Sequence, residues 1–247
     1  PTDSSAASDV YKRQPISYDE IPSSMIDALV ATEDERFYSH SGIDFKGTAR
    51  ALFYLGSKGG GSTITQQLAR QLFTGVRSRN KLEAVIQKIK EWVIAIRLER
   101  RYTKSEIITM YLNIYDFNYN ADGIRSASAI YFSKMPKEMS LSESAMLVGM
   151  LKNSSLYNPL RRPELVRERR NIVYQQMLRN NLIDQKEKDS LAALPIEVDF
   201  NPQSHREGIA TYFRAYLQKF MRSWIANNPK EDGSSYNLYL DLSLIHI

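Results

Sequence analysis

Two glutamates, Glu33 and Glu91, stand at separate points of the 247-residue sequence, with a glycine-led segment between them that runs Gly59-Gly60-Gly61-Ser62-Thr63. Paired carboxylates suit acid/base work at a glycosidic centre, where a proton moves as a sugar–oxygen bond changes hands. A helix N-terminus after glycines offers free backbone N–H groups to an anion. Scattered Arg and Lys residues can neutralise a departing pyrophosphate. Together these residues suit chemistry on a sugar joined to a phosphate.

Other chemistries fare worse. Gly56 to Ser62 is no Walker loop, because Gly61 is followed by Ser62 where that motif needs Lys. The three histidines, His40, His205 and His246, offer no metal-ligand spacing. Ser78-Arg79-Asn80-Lys81 has the Ser-x-x-Lys form of acylating serine enzymes but lacks the companion Ser-Asp-Asn and Lys-Thr-Gly motifs. With no cysteine there is neither disulfide nor thiolate chemistry. The net charge of +5, from 33 basic and 28 acidic residues, is a mild preference for anionic ligands or surfaces. Nucleic-acid binding has only that charge in its favour and is not expected. No stretch approaches the roughly 18 apolar residues of a membrane span.

The elements that must position the two glutamates read as helices. Leu, Ile, Ala, Glu, Lys, Arg and Gln dominate the middle of the chain, so a mostly helical fold is expected. Residues 24–38 read as a helix capped by Ser24, with Ile26, Leu29 and Val30 as its apolar stripe. Glu33 falls on that stripe, where desolvation suits a proton acceptor; the plainer reading is a Glu paired with a neighbouring Arg. Ser62 or Thr63 caps a helix through Phe73 that Gly75 ends. Lys81 to Arg101 is a long helix whose expected core face is Leu82, Val85, Ile86, Ile89, Trp92, Val93 and Ile96. Glu91 lies on its other face near Lys88, where Ala84 and Ala95 leave room for a ligand. A capping box at Thr103-Lys104-Ser105-Glu106 opens a third helix to Leu112, and further helices are expected over 142–152, 164–180 and 209–224. The last carries an aromatic stripe suited to packing on a neighbouring domain.

The two ends are set apart. The codons GAT GTG TAT AAG AGA CAG encode Asp9 to Gln14, and their reverse complement encodes Leu242 to Ile247. Residues 1–14 and 242–247 are therefore read as adapter-derived artefacts, residues 15–200 as the catalytic domain, and 201–241 as a linker toward a further domain.

At particular residues the sequence resembles the family 51 peptidoglycan glycosyltransferases, the sugar-polymerising domains of class A penicillin-binding proteins. Glu33-Asp34-Glu35-Arg36-Phe37-Tyr38-Ser39-His40-Ser41-Gly42 looks like their Glu-Asp-x-x-Phe-x-x-His-x-Gly motif. Gly60 to Arg70 resembles the second motif throughout. Lys88-Ile89-Lys90-Glu91 is similar to the third, usually Arg-Lys-x-x-Glu, with Gln87 in the Arg place. Lys104 to Ile107 with Tyr111-Leu112-Asn113 looks like the fourth, and Glu143 to Leu147 with Tyr157-Asn158-Pro159 like the fifth.

The resemblance implies a lysozyme-like fold, with a large helical lobe and a small membrane-facing lobe around a cleft. It implies that Glu33 takes the proton from the 4-hydroxyl of lipid II, which attacks the lipid-linked growing glycan strand with inversion to a β-1,4 linkage and loss of undecaprenyl pyrophosphate. Glu91 would assist at the pyrophosphate, directly or through a divalent cation such as Mg²⁺; no organic cofactor is implied. Ser62, Thr63, Gln66, Gln67, Arg70 and Lys88 would line the donor site with Arg77 or Arg79, and Lys90 would compensate for Gln87. Asp34 and His40 would shape the first motif. The implied setting is the outer, periplasmic face of the bacterial cytoplasmic membrane, with the anchor outside this fragment and moenomycin as inhibitor. A monofunctional transglycosylase, a lysozyme-like glycan-cleaving enzyme and a non-catalytic lipid II-binding scaffold are the alternatives.

Overall fold

The computed structural model describes residues 15–53, 61–75, 78, 80–201 and 211–228. The expected ends at 1–14 and 242–247, the glycines at 59 and 60, and Arg77 and Arg79 lie outside the described residues.

The architecture is helical, as expected, and among the described residues the only β pairing is an isolated bridge between Asp116 and Asp122. In chain order the helices are α1 (Ser23–Glu33), α2 (Phe45–Phe53), α3 (Ile64–Ala69), α4 (Lys81–Arg101), α5 (Lys104–Ile114), α6 (Gly123–Phe132), α7 (Leu141–Met150), α8 (Pro163–Arg179), α9 (Gln185–Ala193) and α10 (Thr211–Asn227). The first nine belong to one compact unit, Pro15–Pro202; α10 belongs to a second unit. On α10, Tyr216, Phe220 and Trp224 recur every four residues and are exposed.

In the larger unit, α1 packs on α7 and α8, and α3 packs between α4 and α5. Every residue of α6 is buried, which explains why no polar–apolar alternation announces it. Capping follows the sequence at two helices: Thr63 accepts from Gln66 N–H, and Thr103 and Glu106 close a capping box on α5; the helix expected over 142–152 instead starts at Leu141, where Ser140 and Glu143 close the capping box.

Expectations for α1 need correction, beginning with its end, which falls at Glu33 rather than at residue 38. Ser24 does not cap α1; Pro22 precedes the helix, and the Ser24 hydroxyl lies 3.1 Å from that of Ser144. The buried stripe of α1 is Met25, Ala28 and Leu29, one position back from the expected one, with Ile26 and Val30 only half-buried.

The larger correction concerns α4. Five of its seven expected core residues are exposed, Leu82 at 75%, Val85 58%, Ile86 53%, Ile89 52% and Val93 46%, while Trp92 and Ile96 are half-buried. The buried residues of α4 are Glu91 and Ala95. The helix therefore turns its polar edge to the protein and its apolar edge outward. Close approach of the backbone at Gly42 accounts for the orientation. Gly42 sits at φ +89, and a Cβ there would lie 2.8 Å from the carbonyl carbon of Ala95.

Candidate active site

The site is built around the short helix α3. Consecutive residues on a helix point about 100° apart, so the neighbours Gln66 and Gln67 serve different groups. Gln67 Nε2 donates to Glu33 Oε2 at 2.9 Å. Gln66 Oε1 accepts from Lys88 Nζ at 2.8 Å. One six-residue helix thus separates a carboxylate site from a cationic one.

The carboxylate site lies at the end of α1. The Glu33 side chain is 14% exposed, with its other oxygen 3.5 Å from Arg169 Nη2. Beyond Gln67, the Tyr111 hydroxyl donates to Gln67 Oε1 at 2.9 Å. Burial, then the charge of Glu33, pushes the Tyr111 phenol well above its ordinary range. Tyr115 is likewise pushed up to about 12, first by burial and further by the charge of Glu33.

On the cationic side, Lys88 Nζ donates to Ser62 Oγ at 2.9 Å and to Glu91 Oε2 at 3.1 Å. Glu91 is 5% exposed, so its charge is balanced by a partner rather than by water. Arg70 stands between the two sites in sequence and is half-buried; its charge acts on Tyr111. It opens a π-helical turn, Arg70–Thr74, that Gly75 ends at φ +61.

A third cluster holds the first two in register. His40 Nε2 lies 3.0 Å from both oxygens of Asp34, and Ile64 N–H donates to Asp34 Oδ2 at 3.1 Å. Thr63 Oγ1 and Gln66 Nε2 both donate to Gly42 O, at 2.8 and 3.2 Å. Lys104 Nζ donates to His40 O at 2.7 Å and pairs with Glu99 at 2.6 Å; Glu99 in turn accepts from Thr65 Oγ1.

The transglycosylase family model matches residues 3–178, well over half of the chain. The chain belongs to the transglycosylase family. Penicillin-binding protein 1A of Escherichia coli (strain K12) is 35% identical over 240 residues, covering 94% of this chain and 27% of that protein. Penicillin-binding protein 1A of Haemophilus influenzae is 39% identical over 228 residues, covering 90% of this chain and 25% of that one. Penicillin-binding protein 1F of Bacillus subtilis (strain 168) is 37% identical over 211 residues, covering 84% and 29%. The chain spans about a quarter of the length of these curated relatives.

Within this transglycosylase chain, the residues expected at the site divide by what they touch. Ser62, Gln66, Lys88 and Glu91 form one connected cluster. Gln67 belongs with Glu33 instead. Thr63 is buried and works as a helix cap bound to Gly42. Asp34 and His40 bind each other and α3. Lys90 is exposed, away from the buried edge of α4 that carries Glu91, and Gln87 accepts from Ser78 N–H at 2.9 Å.

Tyr111 lies in the fourth motif with no role assigned to it, and Arg169 lies outside every motif. The spacing on α8 marks Arg169 as buried but does not name its partner. Val166, Arg169, Arg170, Val173, Tyr174 and Met177 recur at helical spacing on α8, which places two arginines on a buried stripe. Arg170 spends its charge on structure, donating to Ser142 Oγ, Pro195 O and Leu194 O.

Among the described residues no group of three or more His, Cys, Asp or Glu side chains could hold a metal ion. Glu91 is already engaged by Lys88. At this point the protein offers one carboxylate ligand, Glu91, with Lys88 as the cation beside it.

Proposed function

We propose that this chain is a peptidoglycan glycosyltransferase that polymerises lipid II into β-1,4-linked glycan strands, as the polymerising part of a class A penicillin-binding protein. The observation that carries the reading is the arrangement on α3, with a base candidate held by Gln67 and a cation held by Gln66. Glu33 removes the proton from the 4-hydroxyl of lipid II as that oxygen attacks the anomeric carbon of the growing strand. The bond to the undecaprenyl pyrophosphate breaks on the opposite face, and configuration inverts. Lys88 and Arg70 offset the charge that collects on the pyrophosphate. Glu91 holds Lys88 in place. A Mg²⁺ ion at Glu91 would need the substrate phosphates and water for its remaining ligands.

The cationic cluster favours polymerisation over glycan cleavage, since hydrolysis of a preformed strand leaves no pyrophosphate to neutralise. The outward apolar edge of α4 suits a membrane surface on the periplasmic side, where the lipid-linked substrates lie; Phe45 on α2 and Phe73 in the turn after α3 are also exposed, at 74% and 63%. No helix among the described residues is long and apolar enough to cross a membrane. Moenomycin is the expected inhibitor.

Polymerisation of fluorescent lipid II in detergent micelles, with the Glu33→Gln variant alongside, tests this reading. Glycan ladders are expected from the parent chain and none from the variant. Ladders from both would remove Glu33 from its role, and shortening of preformed glycan would replace the reading with a hydrolytic one.

A further inference from the structure

Glu33 is held from two sides by residues that stand behind the groups expected to touch substrate. On one side is Arg169, only 8% exposed. A buried guanidinium needs partners. Its Nη2 lies 3.5 Å from Glu33 Oε1, its Nε donates to Gly149 O at 3.4 Å, and its carbon centre is 5.8 Å from the Tyr157 ring. Gly149 makes room for this path, since a Cβ there would lie 3.1 Å from Arg169 Cγ.

On the other side is Tyr111, with no exposed surface. Its hydroxyl remains protonated and donates to Gln67 Oε1. That bond turns the amide of Gln67 so that its NH₂ faces Glu33; the reverse orientation would set an amide oxygen against a carboxylate. A carboxylate offers about four lone-pair directions. Arg169 and Gln67 occupy one on each oxygen.

We propose that Arg169 and Tyr111 are positioning residues for Glu33, fixing the plane of its carboxylate so that a remaining lone pair is directed at the acceptor hydroxyl. The inference rests on the polymerase reading for the identity of that hydroxyl, but the clamp itself does not. Arg169 also supplies charge, whereas Tyr111 acts through Gln67 and supplies only orientation.

Steady-state polymerisation of lipid II by Arg169→Met, Arg169→Lys and Tyr111→Phe chains tests the inference. Arg169→Met and Tyr111→Phe are expected to lower kcat about tenfold or more, with KM for lipid II changed less than about twofold. Arg169→Lys keeps a cation near Glu33 but loses the planar fork, and is expected to restore part of the lost kcat. Losses carried by KM alone, or an Arg169→Met kcat equal to the parent's, overturn the inference. Should Arg169→Met not fold, Gly149→Ala displaces the same side chain through its Cγ and must show the same fall in kcat. Solvent exchange of the Gln67 side-chain NH₂, followed by nitrogen-15 NMR, separates this inference from the polymerase reading. That exchange quickens in Tyr111→Phe whether or not the chain turns over lipid II, and unchanged exchange sinks the clamp alone.

Discussion

Lys88 and Glu91, one turn apart on α4, meet at 3.1 Å, with the Glu91 side chain only 6% exposed. A carboxylate so placed depends on its cation, and on the proposed function that cation also receives the pyrophosphate. Removing one partner of a buried pair costs more than removing both. Lys88→Met is therefore expected to lower both polymerisation, by about a hundredfold or more, and the melting temperature. Adding Glu91→Gln recovers much of the melting temperature and none of the activity. Thermal melts beside the lipid II assay check this; recovery of activity in the double variant would show that Lys88 serves only to balance Glu91.

Asp34 is expected to matter for stability rather than for chemistry. Its carboxylate satisfies His40 Nε2 and Ile64 N–H, and both side chains of the His–Asp pair are nearly buried. Asp34→Ala orphans two buried groups, a loss of about 2–4 kcal/mol, or a melting temperature lower by roughly 5–15 °C. Differential scanning calorimetry measures it, and a change under 1 °C would contradict the bonding described.

The apolar edge of α4 should bind lipid. Ile86→Glu with Ile89→Glu places two charges on side chains 53% and 52% exposed, so folding is expected to persist while partition onto anionic vesicles falls about tenfold or more. Vesicle sedimentation reads the partition, and circular dichroism the fold. Unchanged sedimentation would place the membrane contact elsewhere.

Asp27, half-buried on α1, has its carboxyl pushed up by burial. Its folded-state value lies above its unfolded one, so the folded state binds the proton more tightly. The stability this contributes is present below the unfolded value and is lost as pH rises through the folded one. At neutral pH the buried charge is a net cost. Asp27→Asn is expected to raise the melting temperature by about 1–2 °C at pH 7.5, with the gain vanishing below the ordinary carboxylate range near pH 3.8. An equal gain at every pH would point away from titration.

Most of the elements could be placed from sequence because their ends are marked locally. Thr63 and Thr103 cap where their hydroxyls suggest, and α4 spans the expected Lys81–Arg101. What sequence did not reveal was direction. The apolar residues of α4 suggested a core face, yet periodicity shows only that a helix has two faces, and here the polar one meets α3. Helix α6 gave no alternation because it has no exposed side. Glu33 and Glu91 were legible through their motifs. Arg169, 136 residues from Glu33, was not, because a contact at that separation is a property of the packing of α8 on α1.

Asp34 and Gly42 stand eight residues apart in the first motif, and Ile64 and its neighbours on α3 are bonded to both ends of that stretch. Opening the first turn of α3 frees the Asp34 carboxylate, and with it the ring of His40; releasing Gly42 from Ala95 also releases Thr63 and Gln66, which both donate to its carbonyl. The amides of these stretches should consequently exchange with deuterium at one common rate, as a single cooperative unit. The groove that accepts substrate would then be assembled or lost in one event, with no half-built form in which the base is present and the cation is not.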